Sequence, residues 1–330
     1  MSKIRVAFLG CGGIAGKHVR SLKAKSEVQI VAGCDVSPEV VNGFIDRTMP
    51  DVKPRPAVFT AAAEMYDKSK PDAVVICTPH TQHFDQGMQA LAAGCHVLME
   101  KPMVTASADA WKLKEKVEQT GKVFIIGYNT PCSPEFFYLR EQIRKQTFGK
   151  LEMVNGYLSQ GWLKATIGKW RQDPALSGGG QAYDSGAHLL NSLCWSVESR
   201  PAEVYAMIDN CGSKVDINSV LVIKFQNNVM ASICVSGNCP SAGSHMAFVF
   251  DNGRVEIDPW SAGWINVFAG ANKVKYPPIT GNACEPADNF VDAVLGRNQA
   301  RTNPMNGIIQ SELMDAIYES AKTGRPARAK

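Results

Sequence analysis

No apolar run in this 330-residue chain approaches the roughly 18 to 20 residues that a membrane-spanning helix needs. Lys3 leads directly into a strand pattern, so neither a span nor a secretory leader is expected, and the protein is assigned to the cytoplasm. The ten cysteines include no C-x-x-C pair and no metal-finger spacing. Cys34, Cys77, Cys194 and Cys234 stand inside apolar runs and read as small core residues in a reducing compartment, not as a disulfide framework. Lys and Arg form no block, and the net charge of +4 is modest for the length, so nucleic acid and anionic membranes are not expected as partners. Internal repeats and low-complexity segments are absent too. A hydrophobic share of 45% and a charged share of 20% are those of a globular protein with a substantial core. The length exceeds the usual single domain, which predicts two.

What is present begins with alternation. "IRVAFLG", "VQIVAGCD", "PAVFT", "DAVVICTP", "HVLMEKP" and "VFIIGYN" are short apolar runs separated by helical patterns, as in a parallel sheet covered on both faces. Residues 1–128 are therefore expected to form a doubly wound α/β domain. After a helix near Pro134 to Gln146, longer strands alternate in polarity ("LEMVNGYLSQG", "AEVYAMI", "SVLVIKFQ", "VMASICVSG"), with turn signals at Gln226 to Asn228 and Asp251 to Gly253. Residues 129–330 thus read as an α+β domain with a large, mostly antiparallel open sheet. Few helices follow that sheet, so one face is expected to bury a partner subunit, giving a homodimer or homotetramer. Asn306 to Lys322 reads as an amphipathic helix stopped at Gly324.

The first strand stops at Gly10-x-Gly12-x-x-Ala15, and a helix follows. Gly10 permits a tight turn, Gly12 lets a pyrophosphate approach the backbone, and Ala15 packs the helix against the strand, with Gly13 and Ile14 at the helix start. Free N–H groups and the helix dipole there attract an anion. Asp35, at the end of the next strand, is placed to accept hydrogen bonds from ribose hydroxyls and to repel a 2'-phosphate; with Val36, Ser37 and Pro38 following instead of Arg, NAD is preferred over NADP. Thr78, Pro79, Glu100 and Lys101 end the fourth and fifth strands and should line the cofactor crevice.

Further on, "SGGGQAYDSGAHLLN" sets Asp184 and His188 four apart, a spacing that on one helix brings a carboxylate beside an imidazole. That is the geometry of a supported general base. The pair could also offer two metal ligands, but no third lies nearby in sequence, so no metal is expected.

Together, "GCGGIAGKH", "TPHTQH", "GCHVLMEKP", "SGGGQAYDSGAHLLN" and "TGRPA" make the chain resemble the Gfo/Idh/MocA family, named for glucose-fructose oxidoreductase and inositol dehydrogenase. The resemblance runs nearly the whole length and implies a Rossmann domain followed by an α/β domain with an open sheet. It implies that Lys101 hydrogen-bonds the substrate hydroxyl, that Asp184 and His188 complete a proton relay at the reacting carbon, and that His83 belongs to the cofactor site. Where the family commonly carries basic residues and an aromatic before "SP", this chain has Thr130, Pro131 and Cys132, leaving Asn129 as a polar contact. Trp162, Lys164, Trp170 and Arg171 offer compensation, since an aromatic face with donors suits a sugar ring. The reading is an NAD-dependent dehydrogenase acting on a secondary hydroxyl of a cyclic polyol, sugar or glycoside. Two alternatives stand beside it: a glycoside hydrolase or lyase that retains NAD and oxidises transiently, and a non-catalytic dinucleotide sensor.

Overall fold

The computed structural model describes residues 3–329, and the chain divides into two compact units. In the first, β1 (Ile4–Leu9), β2 (Val28–Cys34), β3 (Ala57–Phe59), β4 (Ala73–Ile76), β5 (His96–Met99) and β6 (Phe124–Ile126) form one parallel sheet in the order β3-β2-β1-β4-β5-β6. Helices α1 (Gly13–Lys23), α2 (Pro38–Thr48), α3 (Ala62–Ser69), α4 (His83–Ala92) and α5 (Ser107–Thr120) connect the strands. All four residues of β4 are buried, as a strand covered on both faces requires. The strand order reverses between β1 and β4, where an open α/β sheet leaves a crevice beyond its carboxyl ends.

The second unit carries α6 (Pro134–Lys145), the short α7 (Trp162–Ala165) and α8 (Pro174–Ser177), and α9 (Gly186–Val197). Its strands are β7 (Leu151–Ser159), β8 (Pro201–Asp209), β9 (Asn218–Phe225), β10 (Met230–Ser236), β11 (Gly243–Phe250), β12 (Gly253–Ile257), β13 (Ile265–Ala269), β14 (Asn272–Lys273) and β15 (Ala327–Arg328). They form a nine-stranded sheet in the order β14-β13-β12-β11-β7-β10-β9-β8-β15. The sheet is mixed: β7 and β10 run parallel, and the other pairs are antiparallel. The anticipated turns are present, with Asn228 at φ +69° between β9 and β10 and Asp251–Asn252 between β11 and β12.

After this sheet the chain returns to the first unit over Glu285–Pro304. There α10 (Pro286–Val294) adds Ala287, Phe290 and Val291 to the core that holds Phe8 and Ile30, and Asp288 accepts from Ser21 Oγ at 2.6 Å. A single boundary at residue 128 misses this return, because a nine-residue amphipathic helix does not announce which sheet it covers. The last helix, α11 (Pro304–Thr323), stops before Gly324 at φ +65° and puts Leu313 and Ile317 into the second unit's core.

Alternation along the strands sorts the large sheet into two faces. Val154, Leu221, Ile223 and Ile233 pack with Leu189 and Leu193 of α9. The opposite face exposes Met153, Met207, Val220, Val222 and Met230. Among the described residues no helix is long and apolar enough to cross a membrane.

Candidate functional site

In the first unit, three residues turn the chain from β1 into α1. Gly10 takes φ +89°, and a Cβ there would lie 2.7 Å from the Cys77 carbonyl carbon, so no other residue fits. At Gly12 and Gly13 a Cβ would meet nothing within 4 Å, and both residues are exposed, with Ile14, at the open start of α1. No side chain caps that helix and its first turn holds no acid, so its leading N–H groups remain available to an anion. Asp35 is half-buried; its Oδ2 accepts from Cys11 N at 2.7 Å and its Oδ1 from Val36 N at 2.7 Å. Burial and then the Asp35 charge push the Cys11 thiol up to about 12, so the thiol stays neutral. The open cradle, the uncapped helix and the carboxylate at the end of β2 are a donor and acceptor set that fits a dinucleotide.

Thr78 and Pro79 follow β4, both half-buried. Glu100 and His83 are both buried and have protein partners. Glu100 is buried, and its Oε1 lies 2.7 Å from His18 Nε2, so its side chain links the "EKP" turn to α1. His83 is fully buried, with Nδ1 2.7 Å from Pro102 O and Nε2 3.0 Å from Thr78 O. It braces the two loops that carry Thr78 and Lys101, and burial pushes its pKa below the ordinary histidine value. His18 escapes the sequence reading, although a histidine on the apolar stripe Ala15, Val19, Leu22 signals a buried partner. Lys101 is half-buried beside Glu100.

The second unit holds the proposed proton-transfer pair. Asp184 lies in the turn ahead of α9, so the two residues do not share one regular helix as the spacing predicts. Its Oδ2 accepts from Trp162 Nε1 at 2.7 Å and from Arg171 Nε at 2.8 Å, and the guanidinium packs 4.5 Å over the Trp170 ring. Trp162, only 5% exposed, and Arg171 thus orient the Asp184 carboxyl group, a place other than the sugar platform expected of them. Lys164 projects into solvent. Between residues 180 and 197, His188 alone is not buried. Its ring meets Trp260 edge-on at 4.9 Å and Tyr128 at 5.9 Å. Asn129 is exposed, one residue beyond Tyr128.

The glycine loop before Asp184 has its own anchor. Asp216, buried, accepts from Gly180 N at 2.6 Å, Ala182 N at 2.8 Å and the Tyr318 hydroxyl at 2.5 Å. A Cβ on Gly180 would come within 2.0 Å of the Asp216 carbonyl oxygen, which explains the glycine. Nothing local in the sequence links Asp216 to this turn, since 36 residues separate it from Gly180.

Residues 4–128 match an oxidoreductase family with an NAD-binding Rossmann fold, and residues 136–256 match the C-terminal domain of the same family. The first unit is an NAD-binding domain of the oxidoreductase class. The chain belongs to the Gfo/Idh/MocA family. D-glucoside 3-dehydrogenase of Escherichia coli (strain K12) is 26% identical over 197 residues, 59% of this chain and 54% of that protein. A glycosyl hydrolase family 109 protein of Shewanella baltica (strain OS195) is 26% identical over 155 residues, 46% of this chain and 34% of that one. The chain thus spans about half the length of the first relative and a third of the second. WlbA dehydrogenase from Chromobacterium violaceum, solved with NADH and UDP-GlcNAcA, superposes with a TM-score of 0.88 at 21% identity, over 100% of this chain and 97% of that one, which shows a shared fold.

Proposed function

We propose that the protein is an NAD-dependent dehydrogenase that oxidises a secondary hydroxyl of a cyclic polyol, a sugar or a glycoside. The observation that carries this reading is His188, the one partly exposed residue in an otherwise buried stretch, four positions after an aspartate held by Trp162 and Arg171. NAD, held by Gly10, Gly12, Gly13, Ile14 and Asp35, supplies the hydride acceptor. His188 takes the hydroxyl proton, the Asp184 charge favours the resulting imidazolium, and Lys101 donates to the substrate oxygen. Asp35 selects against a 2'-phosphate because two anions would face each other.

The dehydrogenase relative and the sugar-nucleotide complex support a carbohydrate substrate. The glycosyl hydrolase relative supports a second reading, in which NAD stays bound and a transient oxidation leads to cleavage of a glycosidic bond. The test is NADH absorbance with purified protein and NAD against inositols, aldoses and glycosides. Turnover is expected with at least one of them, lowered about 100- to 10,000-fold in His188→Ala and comparably in Lys101→Met. Undiminished turnover in both variants would remove the relay.

A further inference from the structure

The residues first expected to form the sugar platform are engaged elsewhere. Trp162 and Arg171 hold Asp184, and Trp170 lies under the Arg171 guanidinium. Yet His188 still opens beside a large aromatic surface, supplied by a loop 72 residues further along the chain, since Trp260 lies at position 188 plus 72. Trp260 is 37% exposed, with its ring centroid 4.9 Å from that of His188 at an interplanar angle of 68°.

The Trp260 loop is built rather than loose. Asp258, buried, accepts from Trp260 N at 2.9 Å, Ser261 N at 3.2 Å, Gly263 N at 3.3 Å and the Ser261 hydroxyl at 2.5 Å, and also from the Ser244 hydroxyl. Burial works against its ionisation, but these hydrogen bonds prevail and hold the carboxyl below the usual carboxylate range. On the other side, Ser192 Oγ, one helical turn beyond His188, reaches Pro259 O at 3.3 Å. Ala262 completes the loop at φ +53°, a conformation that a non-glycine residue keeps only where surroundings enforce it. An indole in the core would need no such scaffold. Trp264 belongs to a different group, beside His245, which stacks on Tyr157.

We infer that Trp260 is the wall against which the apolar C–H face of the substrate ring packs, with the reacting hydroxyl directed to His188. The assignment rests on the proposed dehydrogenase reading and names a ring-shaped polyol or pyranoside as the class of ligand. An indole offers a broad apolar face at little conformational cost, and a pyranose ring presents axial C–H groups of matching size. Trp260 is a binding and specificity residue here; proton transfer stays with His188.

The experiment uses full-length protein labelled with 5-fluorotryptophan, whose six indoles report separately by fluorine NMR. Trp162→Phe, Trp170→Phe and Trp260→Phe assign the relevant signals. NAD-loaded protein is titrated with the panel member of lowest KM, or with methyl β-D-glucopyranoside if no member yields NADH. The Trp260 signal is expected to shift saturably while those of Trp162 and Trp170 stay in place. Trp260→Ala is expected to raise KM roughly tenfold, with the loss falling on KM more than on kcat, and Trp260→Phe to recover most of it. NADH formation with a stationary Trp260 signal, or an unchanged KM in Trp260→Ala, overturns the wall and leaves the dehydrogenase standing. A Trp260 shift without NADH from any sugar keeps the wall and removes the dehydrogenase. Neither signal removes both.

Discussion

Asp35 already holds two backbone N–H groups in the folded chain, one from the glycine turn and one from Val36. Each carboxylate oxygen has a further lone pair, so ribose hydroxyls add to these bonds without displacing them. Asp35→Ser is expected to weaken NAD roughly 10- to 100-fold, the worth of hydrogen bonds to a charged acceptor, and to narrow the gap between NAD and NADP. Titration calorimetry with both cofactors checks this, and an unchanged NAD affinity removes the ribose contact. His83 makes a different prediction. Its folded pKa lies below the unfolded value of about 6.5, so beneath that pH the unfolded chain binds a proton that the folded chain refuses. Stability therefore falls as pH drops through about 6.5 and levels off below the folded pKa. Burial lowers His96 in the same direction, so His83→Gln should reduce the slope without abolishing it. Urea unfolding between about pH 5 and pH 8 measures it. At this scale Gly10 is legible because the turn's backbone geometry demands glycine there. The Glu100–His18 pair is not, since its partners stand 82 positions apart.

Among elements, the turn into α9 depends most on distant support. Asp216 satisfies two buried N–H groups of the glycine loop and the Tyr318 hydroxyl from α11, so the loop's shape is fixed by the β8–β9 connection and a helix far away in sequence. Removing the carboxylate strands two backbone donors. Asp216→Ala is expected to cost about 2 to 6 kcal/mol, at roughly 1 to 3 for each of the two buried donors left without an acceptor. Denaturant titration checks the value, and a change below about 0.5 kcal/mol, typical of an indifferent surface site, would contradict it. The helix-face argument for Asp184 and His188 assumes a shared helix that the structure does not show. Asp184 sits in the turn, and its orientation comes from Trp162 and Arg171. Tryptophans close to a glycine loop invite a sugar-binding interpretation; only the fold reveals that one indole N–H is already donated to a carboxylate.

At the scale of the whole chain, alternation of strand and helix predicts the first unit and period-two polarity predicts the second. The return of Glu285–Pro304 escapes both, because α10 completes a core begun almost 300 residues earlier. The large sheet leaves Met207 64% exposed and Val222 56% exposed on the face away from α9, more apolar surface than isolated surface residues explain. We propose that a second copy of the chain covers this face. Val222→Lys together with Val220→Lys is expected to lower the mass found by light scattering after gel filtration; an unchanged oligomer would place the interface elsewhere. The central claim, net oxidation of a ring hydroxyl, is tested most directly by the stoichiometry of NADH to sugar consumed over many turnovers. The dehydrogenase predicts one NADH for each sugar oxidised. Release of free sugar from a glycoside with no accumulation of NADH would contradict it and favour the NAD-retaining cleavage instead.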